Sequence, residues 1–342
     1  MSKFSVLELC AGGGGQALGL EMAGFDHTGV VEYEAAFCTT LRTNRPHWNV
    51  LQTDIRHLRA EDFRGTDVVA GGVPCPPFSV AGKQLGPNDE RDMFPAALNI
   101  VSVVKPRAVI LENVQGLASS RFADYRLQIF QRLSKLGYIP RCAVLHASDF
   151  GVPQLRPRFI IVALRAEDDP FFQMPAPTSA PRHVGESLVD LMAARGWPGA
   201  KAWAKKADDI APTVVGGSKK HGGPDLGPTR AKRQWAELSV DGMGIADEAP
   251  GPDFPLDKNP RLTVRMVARV QGFPDSWQFA GRKTISYRQV GNAFPPPVAA
   301  ALGKSLLSAF AHRYPQRVEK NDDQLVLLEG KARKSRKQQK AS

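Results

Sequence analysis

Cysteine is scarce in this chain: there are four, at positions 10, 38, 75 and 142, and no two form a Cys-x-x-Cys pair. That spacing speaks against a zinc site or a disulfide framework, so no metal is expected and the thiols fit a reducing cytoplasm. Long apolar runs are missing too. None reaches membrane-spanning length, and Met1–Leu9 lacks the layout of a secretion signal. Acidic residues are in deficit, 34 against 45 lysines and arginines, which leaves a net charge of +11. An excess of that sign points to a polyanionic partner without saying which one. With 42% hydrophobic and 23% charged residues among 342, the chain suits a globular protein of two domains, or one with a large insertion.

What is present is organised around Gly71–Ser79, GGVPCPPFS. Thr66–Ala70 before it has the short apolar look of a buried parallel strand. Cys75 therefore sits just past the carboxyl end of a strand, the edge at which open α/β sheets bind ligands. Prolines at 74, 76 and 77 restrict the backbone, so the direction of the thiol is fixed. A lone cysteine is ordinarily a small buried hydrophobe. The proline cradle and the strand-end position make Cys75 the candidate nucleophile instead.

Lys3–Leu9 reads as a first strand, and the CAGGGGQA after it leads into a helix through Leu18–Ala23. Gly12, Gly14 and Ala17 fit the G-x-G-x-x-G/A turn between strand and helix, where a ligand approaches the backbone closely. A second strand, His27–Val31, ends in Glu32, an acid suited to ribose hydroxyls, and Tyr33 follows with a flat face for a purine. A third strand end at Val50–Thr53 precedes Asp54 and Ile55. The turn alone is shared by nicotinamide, flavin and S-adenosylmethionine folds.

Further along, a helix over Pro95–Val104 precedes a strand at Ala108–Leu111 that ends in Glu112, again at the carboxyl edge. Such a glutamate is costly to bury unless paired or protonated. Arg126–Leu136 reads as a helix and Arg141–His146 as a strand. Arg156 and Arg158 alternate before an apolar strand, so both can share a face. From about 166 to 259 prolines and glycines are frequent, periodicity is poor, and basic residues interleave with tryptophan, the texture of a nucleic-acid-reading surface. Order returns with Thr263 as a helix N-cap and an apolar helix at Val298–Phe310. The tail from 315 to 342 is basic and reads as disordered.

In this order the motifs resemble the DNA (cytosine-5) methyltransferase family, especially the bacterial restriction–modification type. The resemblance is carried by Pro74-Cys75 with Phe78-Ser79, Glu112-Asn113-Val114, Gln154–Arg158, the RLTVR…ARVQGFP block and Arg288–Asn292. It implies an α/β fold, a Rossmann-like doubly wound sheet binding S-adenosylmethionine (residues 1–165 plus 286–312). A smaller, loop-rich target-recognition domain would span 166–285. Carried over, Cys75 adds to C6 of a flipped-out cytosine. Glu112 contacts N3 and the exocyclic amine, Arg158 holds O2, and Arg156 supports the same pocket. Gly12, Gly14, Glu32, Tyr33, Asp54, Ile55 and Asn292 form the cofactor site. Ser79 and Arg91 contact phosphate, and Thr213, Lys219, Lys220, His221 and Arg230 face DNA. The loop 79–91 is the natural lid. The implied setting is a cytoplasmic, nucleoid-associated monomer acting on double-stranded DNA, with a restriction endonuclease cutting the same site.

Several positions depart from the family pattern: Cys10 where an aromatic is usual, Val73 for Phe, Pro76 for Gln, Met266 for Glu, and Ala293 for Ser. Three other readings share parts of the pattern. A tRNA cytosine-5 methyltransferase has the same fold but a compact recognition region with Cys-Phe-Thr, which this chain lacks. A catalytically idle DNA-binding regulator leaves Cys75 and Glu112 unexplained, and the first strand starts too near Met1 to leave room for an added DNA-binding helix pair. A nicotinamide enzyme shares only the glycine turn and Glu32.

Overall fold

The computed structural model describes residues 3–74, 92–216, 224–315 and 317. The roles expected of Cys75, Ser79, Arg91, Lys219, Lys220, His221 and the basic tail fall outside those residues. Strands β1 (Ser5–Leu9), β2 (Asp26–Glu32), β3 (Val50–Gln52), β4 (Val68–Gly72), β5 (Ala108–Val114), β6 (Tyr138–His146) and β7 (Pro157–Arg165) form one sheet. Its order is β3-β2-β1-β4-β5-β7-β6. The first five strands are parallel, while β7 enters antiparallel between β5 and β6.

The central strands β1, β4, β5 and β7 read as mostly apolar runs because both of their faces are covered. Val68, Ala70, Ala108, Ile110, Ile160 and Val162 point into one core. Their neighbours Val69, Val109, Leu111, Phe159 and Ile161 point into another. The first face is covered by α1 (Gly15–Ala23) and α10 (Pro296–Ala311), the second by α3 (Phe94–Val104) and α4 (Ala123–Lys135). In α10, Val298, Leu302, Leu306 and Phe310 repeat every fourth residue and form the buried stripe. Helix α1 lies against the start of α10 through glycines. A Cβ on Gly15 would fall 2.1 Å from the Phe294 carbonyl oxygen, and one on Gly19 would fall 2.3 Å from that of Pro296.

Beyond β7 the chain is more helical than its poor periodicity suggests. Helices α5 (Val184–Ala193), α6 (Ala200–Lys206), α7 (Thr229–Glu237), α8 (Val264–Val270) and α9 (Lys283–Asn292) join α2 (Ala35–Asn44) in framing a third core. Trp197, Trp203 and Trp235 are anchors of that core, each at most 4% exposed. The tryptophans taken as part of an exposed surface are thus packing residues, because a few large rings replace the periodic aliphatics of a longer helix. Helix α8 starts as expected at Thr263, whose hydroxyl accepts the Met266 amide. The Met266 sulfur in turn accepts the Thr263 amide at 3.4 Å, the contact a glutamate makes in the usual capping box.

Candidate active site

The carboxyl ends of β1, β2, β4 and β5 meet at one cavity of about 790 Å³. This is where the strand order turns back, between β1 and β4. The cavity is lined by Gly12, Glu32, Tyr33, Asp54, Ile55 and Asn292, as the sequence predicts for a cofactor site. Pro74 and Glu112 line its other side, so the residue preceding Cys75 and the acid expected to face the base share one wall.

Glu32 closes β2, and both its oxygens are held. Gly12 N–H donates to one and Glu34 N–H to the other, each at 2.7 Å. Burial raises its pKa while these amides pull it down; burial prevails. Gly12 has φ +57 with open space where a Cβ would stand, so its backbone is accessible from the cavity. Gly14 does another job. It caps α1 at φ 87 and does not line the cavity; a Cβ there would fall 2.7 Å from Leu41 and 2.8 Å from Trp277. Cys10, in place of an aromatic, takes the left-handed conformation at φ 52, uncommon outside glycine. Tyr33 is 66% exposed at the mouth, and Ile55 is buried. The Asp54 carboxylate accepts from the Arg56 amide and guanidinium, and that side-chain bond lowers its pKa.

On the far wall Arg158 Nε lies 2.8 Å from Glu112 Oε1. Burial raises the Glu112 pKa against the opposing charges of Arg158 and Arg156. Arg156 is directed elsewhere. It precedes β7, is fully buried, and donates to the carbonyls of Val214 (2.6 Å), Gly291 (2.8 Å) and Ala293 (2.8 Å). Gln154 accepts the Val214 amide and donates to Gln271, which itself donates to the carbonyls of Val290 and Ala293. Thr213 is half-buried and Arg230 is exposed on α7; neither lines the cavity.

Two lining residues escape sequence reasoning. Glu8 on β1 is fully buried, and neither oxygen has a partner among the described residues. It pairs in register with Ala70, and Gly72 with Glu112, so the two glutamates share a face of the sheet across Gly72. Burial, then the charge of Glu112, holds the Glu8 pKa well above the usual carboxylate range. A glutamate within the apolar run of β1 is a readable signal of such a site. Gln16, in the first turn of α1, is 4% exposed with both amide atoms unpartnered among the described residues. A glutamine in a helix's first turn gives no such signal.

S-adenosylmethionine needs an approachable backbone turn, a ribose acceptor and polar groups for its amino-acid end. Gly12, Glu32 and the orphaned Glu8 and Gln16 meet those needs, so the residues fit it. The family model for C-5 cytosine-specific DNA methylase matches residues 4–308. The chain is 56% identical over 313 residues to the Type II methyltransferase M.NaeI of Lentzea aerocolonigenes, covering 90% of this chain and 76% of that one. It is 50% identical to the Type II methyltransferase M.NgoMIV of Neisseria gonorrhoeae, covering 90% of this chain and 98% of that one. The S. pombe Dnmt2 methyltransferase structure has the same fold, with a TM-score of 0.61 at 20% identity over 89% of this chain and 98% of that one. A match that begins just before β1 and runs into α10 takes in every wall of the cavity, and the chain belongs to the C-5 cytosine-specific DNA methylase family, whose methyl donor is S-adenosylmethionine.

Proposed function

We propose that this enzyme methylates C5 of one cytosine within a specific duplex site and that the modification shields DNA from a restriction endonuclease cutting that site. The protective role rests on the likeness to Type II methyltransferases. The observation that carries the chemistry is the buried Glu112–Arg158 pair on the cavity wall beside Pro74. The target base lies inside a duplex, so it must be flipped into the cavity. Cys75, as thiolate, adds its sulfur to C6, and the displaced electron pair makes C5 nucleophilic. When bound, S-adenosylmethionine supplies an electrophilic methyl group to that carbon. Loss of the C5 proton and cleavage of the sulfur–C6 bond then free the product and restore Cys75.

Glu112 acts in its protonated form, donating to N3 as negative charge develops and accepting from the exocyclic amine; its burial favours the proton. Arg158 orients that carboxyl and holds O2 of the base. Gly12, Glu32, Tyr33, Asp54, Ile55 and Asn292 hold the cofactor, with Gly14 shaping the turn. Ser79 and Arg91 bind phosphate, and Thr213, Lys219, Lys220, His221 and Arg230 contact DNA. We assign 1–165 with 286–312 to catalysis and 166–285 to target recognition; α5–α8 lie within the second stretch and pack, with α2 and α9, in the third core.

Incubation with S-adenosylmethionine and unmethylated genomic DNA, followed by sequencing for 5-methylcytosine, tests this reading. Methylation confined to one short motif is expected. Cys75→Ser should retain DNA binding and give none, since a hydroxyl is a far poorer nucleophile than a thiolate. Undiminished turnover in that variant would remove Cys75 from the mechanism.

A further inference from the structure

Gln16 is a polar residue in an apolar place. It lies on the face of α1 turned to the sheet, between Gly15, which meets Ala293 and the Phe294 carbonyl, and Ala17 in the core. Gln16 lines the cavity with Ala293 and Phe294, and neither atom of its buried amide is bonded among the described residues. A buried amide left unbonded costs the desolvation of a donor and an acceptor with nothing in return. A leucine would fill the position without that cost, so a glutamine there indicates that something in the cavity bonds it.

The sheet order limits what that something is. Asp54 and Ile55 follow β3 and Glu32 ends β2, so the nucleoside half of the donor belongs at that side of the cavity. Glu112 and Pro74 lie across β4 and β5, where the cytosine and the reacting methyl group meet. The start of α1 and the 292–294 segment lie between, which leaves them to the amino-acid end of the donor. Ala293 offers no hydroxyl there.

We propose that Gln16 binds the amino-acid end of S-adenosylmethionine, its Nε2 donating to the carboxylate and its Oε1 accepting from the ammonium. One neutral amide serves both charges without adding a charge to a site already holding Glu8, Glu32 and Glu112. Gln16 thereby supplies the polar contact that Ala293 lacks. The inference rests on the cofactor reading of the cavity.

The test is calorimetric binding of two ligands to the full chain, S-adenosylhomocysteine and 5′-deoxy-5′-methylthioadenosine, which lacks the amino-acid end. Gln16→Leu should weaken the first roughly tenfold or more, the scale of a hydrogen bond to a charged group, and leave the second unchanged. Equal weakening of both would overturn the proposal, because Gln16 would then shape the cavity rather than touch that end. No weakening of either would overturn it too, leaving Gln16 bonded to water. Gln16→Glu keeps the shape, replaces the donor with an acceptor, and is read by the same two ligands if the leucine variant does not fold. Failure of the unaltered protein to bind either ligand would reject the cofactor reading itself.

Discussion

Two buried polar regions lie close together in this molecule and are built on opposite terms. Around Arg156, every contact is made to protein: Gln154, Gln271 and the carbonyls of Val214, Gly291 and Ala293 tie β7 to the 214 segment and to the junction of α9 and α10. At the cavity floor Glu8 and Gln16 make no hydrogen bond among the described residues. The first arrangement fixes the chain before any ligand arrives, with both terminal nitrogens of Arg156 taken up by backbone carbonyls. The second is costly until a ligand completes it, which is how a binding site differs from a brace. Glu112 stands between the two cases, with Oε1 on Arg158 and Oε2 beside Gly72 at the cavity.

The largest effect should come from that intermediate residue. Glu112→Gln keeps the shape and removes the transferable proton; methylation should slow by roughly a hundred- to a thousandfold, with cofactor affinity unchanged in a binding titration. A matching loss of cofactor binding would put Glu112 with the cofactor instead. Next is the brace itself. Arg156→Met keeps the stem but strips the donors from buried carbonyls, so urea unfolding should show a loss of about 3 kcal/mol with the slope preserved. Stability equal to the parent would mean the network holds nothing. The smallest effect concerns Glu8. A carboxyl with a raised folded-state pKa contributes stability that is fully present below the unfolded value near 4.5 and is lost as pH rises through the folded one. Glu8→Gln should therefore flatten the pH dependence, the ligand-free variant gaining about 1 kcal/mol over the parent at pH 8 and little at pH 4. Parallel stability curves would show Glu8 to be solvated.

The sheet was legible because its central strands, buried on both faces, are mostly apolar, and polar or glycine residues stand at the carboxyl edge of the parallel ones. Glu32, Asp54 and Glu112 were visible for that reason. The antiparallel insertion of β7 between β5 and β6 was not, since pairing partners far apart in sequence leave no local mark. Arg156 and Arg158 look equivalent by alternation, yet the strand begins only at Pro157, and the earlier arginine is claimed by carbonyls from two distant segments. Helices α6 and α7 went unread because each short stretch buries one tryptophan rather than a repeating stripe, while the stripe of α5, Val184, Leu188 and Leu191, is confined to ten residues among prolines and glycines.

The glycine seam between α1 and α10 bears on how the molecule is made. Gly15 and Gly19 belong to α1, and the backbone they press against, Phe294 and Pro296, leaves the ribosome more than 270 residues later. The part of the sheet face that α10 covers thus waits for it, and the cavity gains Asn292, Ala293 and Phe294 only long after its other walls. A nascent chain interrupted before α9 already carries Glu32, Asp54 and Glu112 and still lacks the wall of the cavity made by Gln289, Asn292, Ala293 and Phe294.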